Sequence, residues 1–106
     1  MSESMQKVAR LDDLKPGGML VVQFAGLEVL LCRKGESVYA VDNLCSHAAE
    51  RLFFGKLKGN RLFCPLHGAA FDITTGEALS KPASTPLATY PVELRDGDIY
   101  LGQSGA

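Results

Sequence analysis

The chain has 106 residues, 46% hydrophobic and 22% charged, with a formal net charge of −1, which is one domain's worth of ordinary globular composition and excludes a wholly disordered polypeptide. That charge offers no basic face for nucleic acid, and no apolar run approaches the roughly 18 residues of a membrane span. Residues 1–15 are charged and lack a secretory h-region, so the expected setting is the cytoplasm, with no nucleic acid and no membrane as partner.

Taken in chain order, residues 11–14 predict one helical turn, stopped by Pro16-Gly17-Gly18. Residues 19–24 (MLVVQF) predict a strand, Ala25-Gly26 a turn, and residues 27–33 (LEVLLCR) a second, mostly apolar strand. Lys34-Gly35-Glu36 reads as a hairpin loop, and residues 37–41 (SVYAV) alternate as a half-buried strand does. From 42 to 86 loops dominate. Glycines recur there at Gly55, Gly59, Gly68 and Gly76, with short apolar pieces at Arg61-Leu62-Phe63 and Ala70-Phe71-Asp72-Ile73. After a proline-bearing loop at 81–86, residues 89–94 (TYPVEL), the Asp96-Gly97 turn and residues 98–101 (DIYL) predict a hairpin. No helical period or repeat persists. The expected fold class is all-β: a small antiparallel sandwich or barrel with a loop-rich subdomain at about 43–86, the whole chain 1–106 forming one domain.

Three cysteines, Cys32, Cys45 and Cys64, are an odd number and too few for a disulfide scaffold. Both histidines, His47 and His67, follow a cysteine closely, in Cys45-Ser46-His47 and, after sixteen intervening residues, Cys64-Pro65-Leu66-His67. Each loop thus offers one thiolate and one imidazole, and ligand type alone leaves iron–sulfur, zinc and copper open. Structural zinc with this ligand set takes C-x₂₋₄-C followed by H-x₃₋₅-H. The order C-x-H then C-x₂-H instead suits a binuclear cluster with both cysteines on one iron and both histidines on the other. A zinc-binding interaction module is the alternative. Cys32 lies in an apolar strand and reads as a small buried hydrophobe.

The flanks are more specific. Gly55-x-Leu57-x-Gly59, Cys64-Pro65-x-His67-Gly68-x-x-Phe71-Asp72-x-x-Thr75-Gly76, Pro82, Leu87 and Tyr90-Pro91-Val92 resemble the Rieske ferredoxin family over about the last two-thirds of the chain. In particular the chain looks like the small soluble ferredoxins that serve bacterial aromatic-ring-hydroxylating dioxygenases. It implies one Rieske-type [2Fe–2S] cluster, with Cys45 and Cys64 on the inner iron and His47 and His67 on the outer, exposed one. It further implies a monomeric one-electron carrier without catalytic residues, passing electrons from a flavin-dependent NAD(P)H ferredoxin reductase to a terminal oxygenase. An electron-transfer subunit of another oxidoreductase is the variant reading. A catalytic oxygenase subunit needs a 2-His-1-carboxylate site, and both histidines are already committed. A reductase needs a dinucleotide fingerprint, and no G-x-G-x-x-G occurs.

Four thiolates would leave an oxidised cluster a dianion, whereas two thiolates and two neutral imidazoles leave it neutral. The neutral centre accepts an electron more readily, which places the potential at roughly −150 to +300 mV. By the resemblance, high-potential relatives carry bridging cysteines where this chain has Glu50 and Leu66. They also carry hydroxyl donors where it has Ala69 and Phe71, so its potential is expected near the low end. Phe53 and Phe54, with Glu50, Arg51, Lys56 and Lys58, are the candidates for partner contact.

Overall fold

The computed structural model describes residues 5–45, 50–65, 68–79 and 85–103. The strands among them form three antiparallel sheets. The middle sheet carries β2 (Met19–Phe24), β3 (Leu27–Lys34), β4 (Ser37–Asp42) and β8 (Thr89–Tyr90), in that spatial order. On one side of it lies the sheet β1-β10-β9, formed by Gln6–Arg10, Asp98–Leu101 and Val92–Arg95. On the other lies β5-β6-β7, formed by Lys56–Lys58, Arg61–Phe63 and Ala70–Asp72. Short 3-10 turns occupy Leu11–Asp13 and Leu52–Phe54. The all-β expectation holds.

The apolar run in β3 has a structural cause. Val29, Leu30, Leu31 and Cys32 are all fully buried, because successive side chains point to opposite faces and both faces are covered. Val29 and Leu31 pack with Ala40, Tyr90, Ile99 and Leu101 in one core, while Leu30 and Cys32 pack with Val41, Leu62, Phe71 and Ile73 in the other. Register enforces the split: Val21, Leu30 and Val41 are cross-strand partners on one face, and Leu20, Leu31 and Ala40 on the other.

Tight turns hold that register. Ala25-Gly26 joins Phe24 to Leu27, and Asp96-Gly97 joins Arg95 to Asp98. All four turn residues have positive φ, at 53°, 79°, 50° and 82°, as two-residue turns matched to strand twist require. The hairpin after β3 also has a two-residue loop, Gly35-Glu36, because Lys34 still pairs with Ser37.

Three elements differ from the sequence reading. The strand expected over 89–94 is two strands: Tyr90 pairs with Ala40 in the middle sheet, and Val92 pairs with Leu101 in the outer one. Pro91, lacking an amide proton, stands at the crossing between sheets. Its carbonyl accepts from the Gly102 N–H at 3.0 Å. Strand β1 went unread because QKVAR is mostly polar; only Ala9 is buried, and the pairing shifts between Lys7 and Ala9. Strand β5 is three residues, of which Leu57 alone turns inward.

Candidate metal centre

The first cysteine loop leaves the end of β4. The backbone of Asn43 opens it: its carbonyl accepts from the Leu52 N–H at 2.6 Å, and its N–H donates to the Glu28 carbonyl at 3.2 Å. Leu44 bridges to Arg51, and the Cys45 N–H donates to the Glu50 carbonyl at 2.9 Å. Cys45 therefore stands at the base of a loop whose two arms are laced together. The second loop is built alike. Phe63 pairs with Ala70, and the Cys64 N–H donates to the Ala69 carbonyl at 2.7 Å, so Cys64 also stands at the base of a closed loop.

Glycine brings the two loops together. The segment after Leu52–Phe54 passes so close to β6 that a Cβ at Gly55 would run into the Phe63 carbonyl oxygen, an approach only glycine permits. Cys45 and Cys64 are both buried, in one apolar cluster with Leu52, Leu62, Ala69 and Phe71. Buried thiolate is costly unless a cation compensates it, and two thiols at the bases of neighbouring loops suit a soft metal centre. The donors present fit an iron–sulfur cluster. His47 and His67 lie outside the described residues, as do Ser46 and Leu66.

Cys32 is a different case. It is fully buried in mid-strand, between Met19 and Tyr39 in register. Burial pushes its thiol up to about 12, so it stays neutral and behaves as the expected small hydrophobe.

Asn43 was not singled out from sequence, yet it is fully buried and organises the first loop. Its side-chain amide donates to Glu28 Oε1 at 3.0 Å, and its Oδ1 accepts from the Phe53 N–H at 3.0 Å. Glu28 also accepts from Arg51 Nε at 2.9 Å. The Arg51 guanidinium, then the Asn43 amide, hold the Glu28 carboxyl below the usual carboxylate range. The only available signal was position: a polar amide two residues before a ligand-type cysteine, which also reads as an ordinary turn residue.

Among the partner candidates, Phe53 and Phe54 are exposed and meet edge to face at 5.5 Å, on a turn whose first residue, Leu52, is buried. Lys56 and Lys58 are exposed on β5. Arg51 is exposed but engaged by Glu28.

Comparison with known proteins agrees with this geometry. The Rieske [2Fe-2S] domain family matches residues 4–91. The ferredoxin component of the naphthalene 1,2-dioxygenase/salicylate 5-hydroxylase systems of Ralstonia sp. is 38% identical over 101 residues, covering 95% of this chain and 97% of that protein. The 3-phenylpropionate/cinnamic acid dioxygenase ferredoxin subunit of Photorhabdus laumondii is 41% identical over 95 residues, covering 89% and 90%. Among solved structures, the complex of reduced oxygenase and oxidised ferredoxin in carbazole 1,9a-dioxygenase contains a chain that superposes with a TM-score of 0.91 at 32% identity, with 97% of each chain covered. The ferredoxin of carbazole 1,9a-dioxygenase from Nocardioides aromaticivorans gives 0.90 at 38% identity, covering 93% and 97%. Two laced loops, each with a buried cysteine at its base, thus stand on a fold shared with these ferredoxins, and the chain belongs to the Rieske [2Fe–2S] family.

Proposed function

We propose that this chain is a one-electron carrier of an aromatic-ring dioxygenase system, taking electrons from a flavin-dependent NAD(P)H reductase and passing them to a terminal oxygenase. The carrying observation is the pair of buried cysteines at the bases of two laced loops in a chain of this family. Cys45 and Cys64 hold one iron and His47 and His67 the other. The whole chain acts as one Rieske unit, its cluster-binding part at about 43–86, working as a cytoplasmic monomer. No described helix is long and apolar enough to cross a membrane.

When bound, the cluster supplies a reversible one-electron couple. The chain's residues give it a place and an environment. Leu52, Leu62, Ala69 and Phe71 surround the two cysteines with apolar side chains, which exclude water and lower the local dielectric. The laced loop bases hold the backbone of both cysteines in place. Transfer of an electron needs no acid, base or nucleophile from the protein.

The test is spectroscopic and then functional. Purified protein should be brown-red, with the low mean g-value of a Rieske centre in the reduced state. His47→Ala and His67→Ala should each abolish the reversible couple, and Cys32→Ser should leave the spectrum intact. Bleaching by Cys32→Ser with a normal His47→Ala protein would overturn the ligand assignment. Reconstitution with a flavin reductase and the oxygenase component of a naphthalene or carbazole dioxygenase should then give NAD(P)H-dependent product.

A further inference from the structure

Beside Cys64 lies an open groove of about 390 Å³, lined by Phe54, Lys56, Lys58, Phe63, Cys64 and Pro65 among others. Phe54 is 67% exposed, more than any other large hydrophobic side chain among the described residues. Lys56 and Lys58 point outward on alternate positions of β5, while Leu57 turns to the core. Residues 56–61 hold three cations and no carboxylate, in a chain whose net charge is −1. Lys34 adds a fourth cation, its Nζ donating to Asn60 Oδ1 at 2.8 Å. Arg61 stands opposite Asp72 in register. Lys56 and Lys58 enter no ion pair among the described residues.

Lysines on an edge strand serve to discourage pairing with another sheet. An exposed phenylalanine beside them does the opposite, so edge protection does not account for the combination. An aromatic anchor within a charged rim is the anatomy of a protein-docking site. We propose that this groove docks an acidic face of the terminal oxygenase, an apolar side chain of the partner resting against Phe54 and its carboxylates facing Lys56 and Lys58. An oxygenase is the partner class in the solved complex containing a closely similar fold. The assignment rests on the electron-carrier reading above, and adds to it the sign of the charge and the residues that read it.

The experiment compares wild type with Lys56→Glu/Lys58→Glu and with Phe54→Ser, all holoproteins with matching visible spectra and potentials. Each reduced protein is mixed with ferricyanide or with hexaamminecobalt(III), where one electron leaves the cluster and reduces the acceptor by one unit. Each is also mixed with the oxidised oxygenase that wild type reduces, and the Kd and second-order rate are measured. At low ionic strength the lysine variant should lose roughly tenfold in rate with ferricyanide and with the oxygenase, and gain with the cobalt cation. These differences should collapse at about 0.5 M salt, where the screening length is only a few ångströms. Phe54→Ser should weaken the Kd for the oxygenase at every salt concentration and leave both small acceptors unaffected. Equal oxygenase rates and Kd values for all three proteins would overturn the docking assignment and leave the carrier reading standing. If wild type with an intact cluster reduced no oxygenase, both would fall.

Discussion

Ala69 and Phe71 are fully buried in the cluster of side chains that contains Cys45 and Cys64. High-potential relatives are expected to carry hydroxyl groups at these two positions, and here neither side chain can donate a hydrogen bond. A bond to a charged group is worth roughly 1.5–3 kcal/mol. Only its difference between oxidised and reduced states counts, so on the order of 1 kcal/mol per hydroxyl remains. For a one-electron couple, with tenfold in equilibrium at about 59 mV, that is roughly 40 mV. Ala69→Ser and Phe71→Tyr should each raise the potential by about that amount, and the double variant further, short of full additivity. Protein-film voltammetry decides it, and no upward shift with clusters intact would show that missing hydroxyls do not set the potential. Cys45 and Cys64 stand out in the sequence because their spacing relative to the two histidines is distinctive. Asn43 was not, since its role depends on Glu28 and Phe53, which only the folded loop brings to it.

The first cysteine loop is fastened at its neck by Asn43, Glu28 and Arg51. Replacing Asn43 with Ala strands the Phe53 N–H and removes one donor from Glu28. A fully buried group left unsatisfied costs about 1–3 kcal/mol, and this part-buried amide less, so Asn43→Ala should lower thermal stability and speed cluster loss to a chelator. Unchanged chelation kinetics would show that the neck does not hold the loop. The pH dependence follows from Glu28. Its carboxyl titrates below its ordinary range because Arg51 and Asn43 stabilise the charged form. That contribution is complete above the unfolded glutamate value and is lost as pH falls through the lowered folded value. Acid should therefore speed cluster loss in wild type more than in Glu28→Gln, which carries no charge to lose. Other elements were legible in proportion to their apolar content. β2, β3 and β4 announce themselves, whereas β1 and β5 bury one or two side chains each. The break at Pro91 follows from a rule visible in the sequence: proline cannot continue a ladder.

Across the whole molecule, one sheet serves two cores. Val29 and Leu31 of β3 close the outer core, Leu30 and Cys32 the one containing Cys45 and Cys64, and β2 and β4 divide their side chains in the same way. Neither layer can leave without exposing an apolar face of the sheet that supports the other, at about 25 cal/mol per Å² of apolar surface returned to water. A cluster bound only by the folded chain stabilises it by mass action. Stripping the metal with acid and a chelator should therefore lower Tm for the entire chain, without releasing the cluster loops alone. Residue-resolved hydrogen exchange on the stripped protein checks this. Ile99 in the outer sheet and Leu62 in the cluster layer are both fully buried, and their amides should exchange through the same global opening. Far-UV circular dichroism should show a single transition at that midpoint. If Leu62 exchanged freely while Ile99 stayed protected, the cluster layer would be an independent folding unit, and the middle sheet would need no cover on its second face.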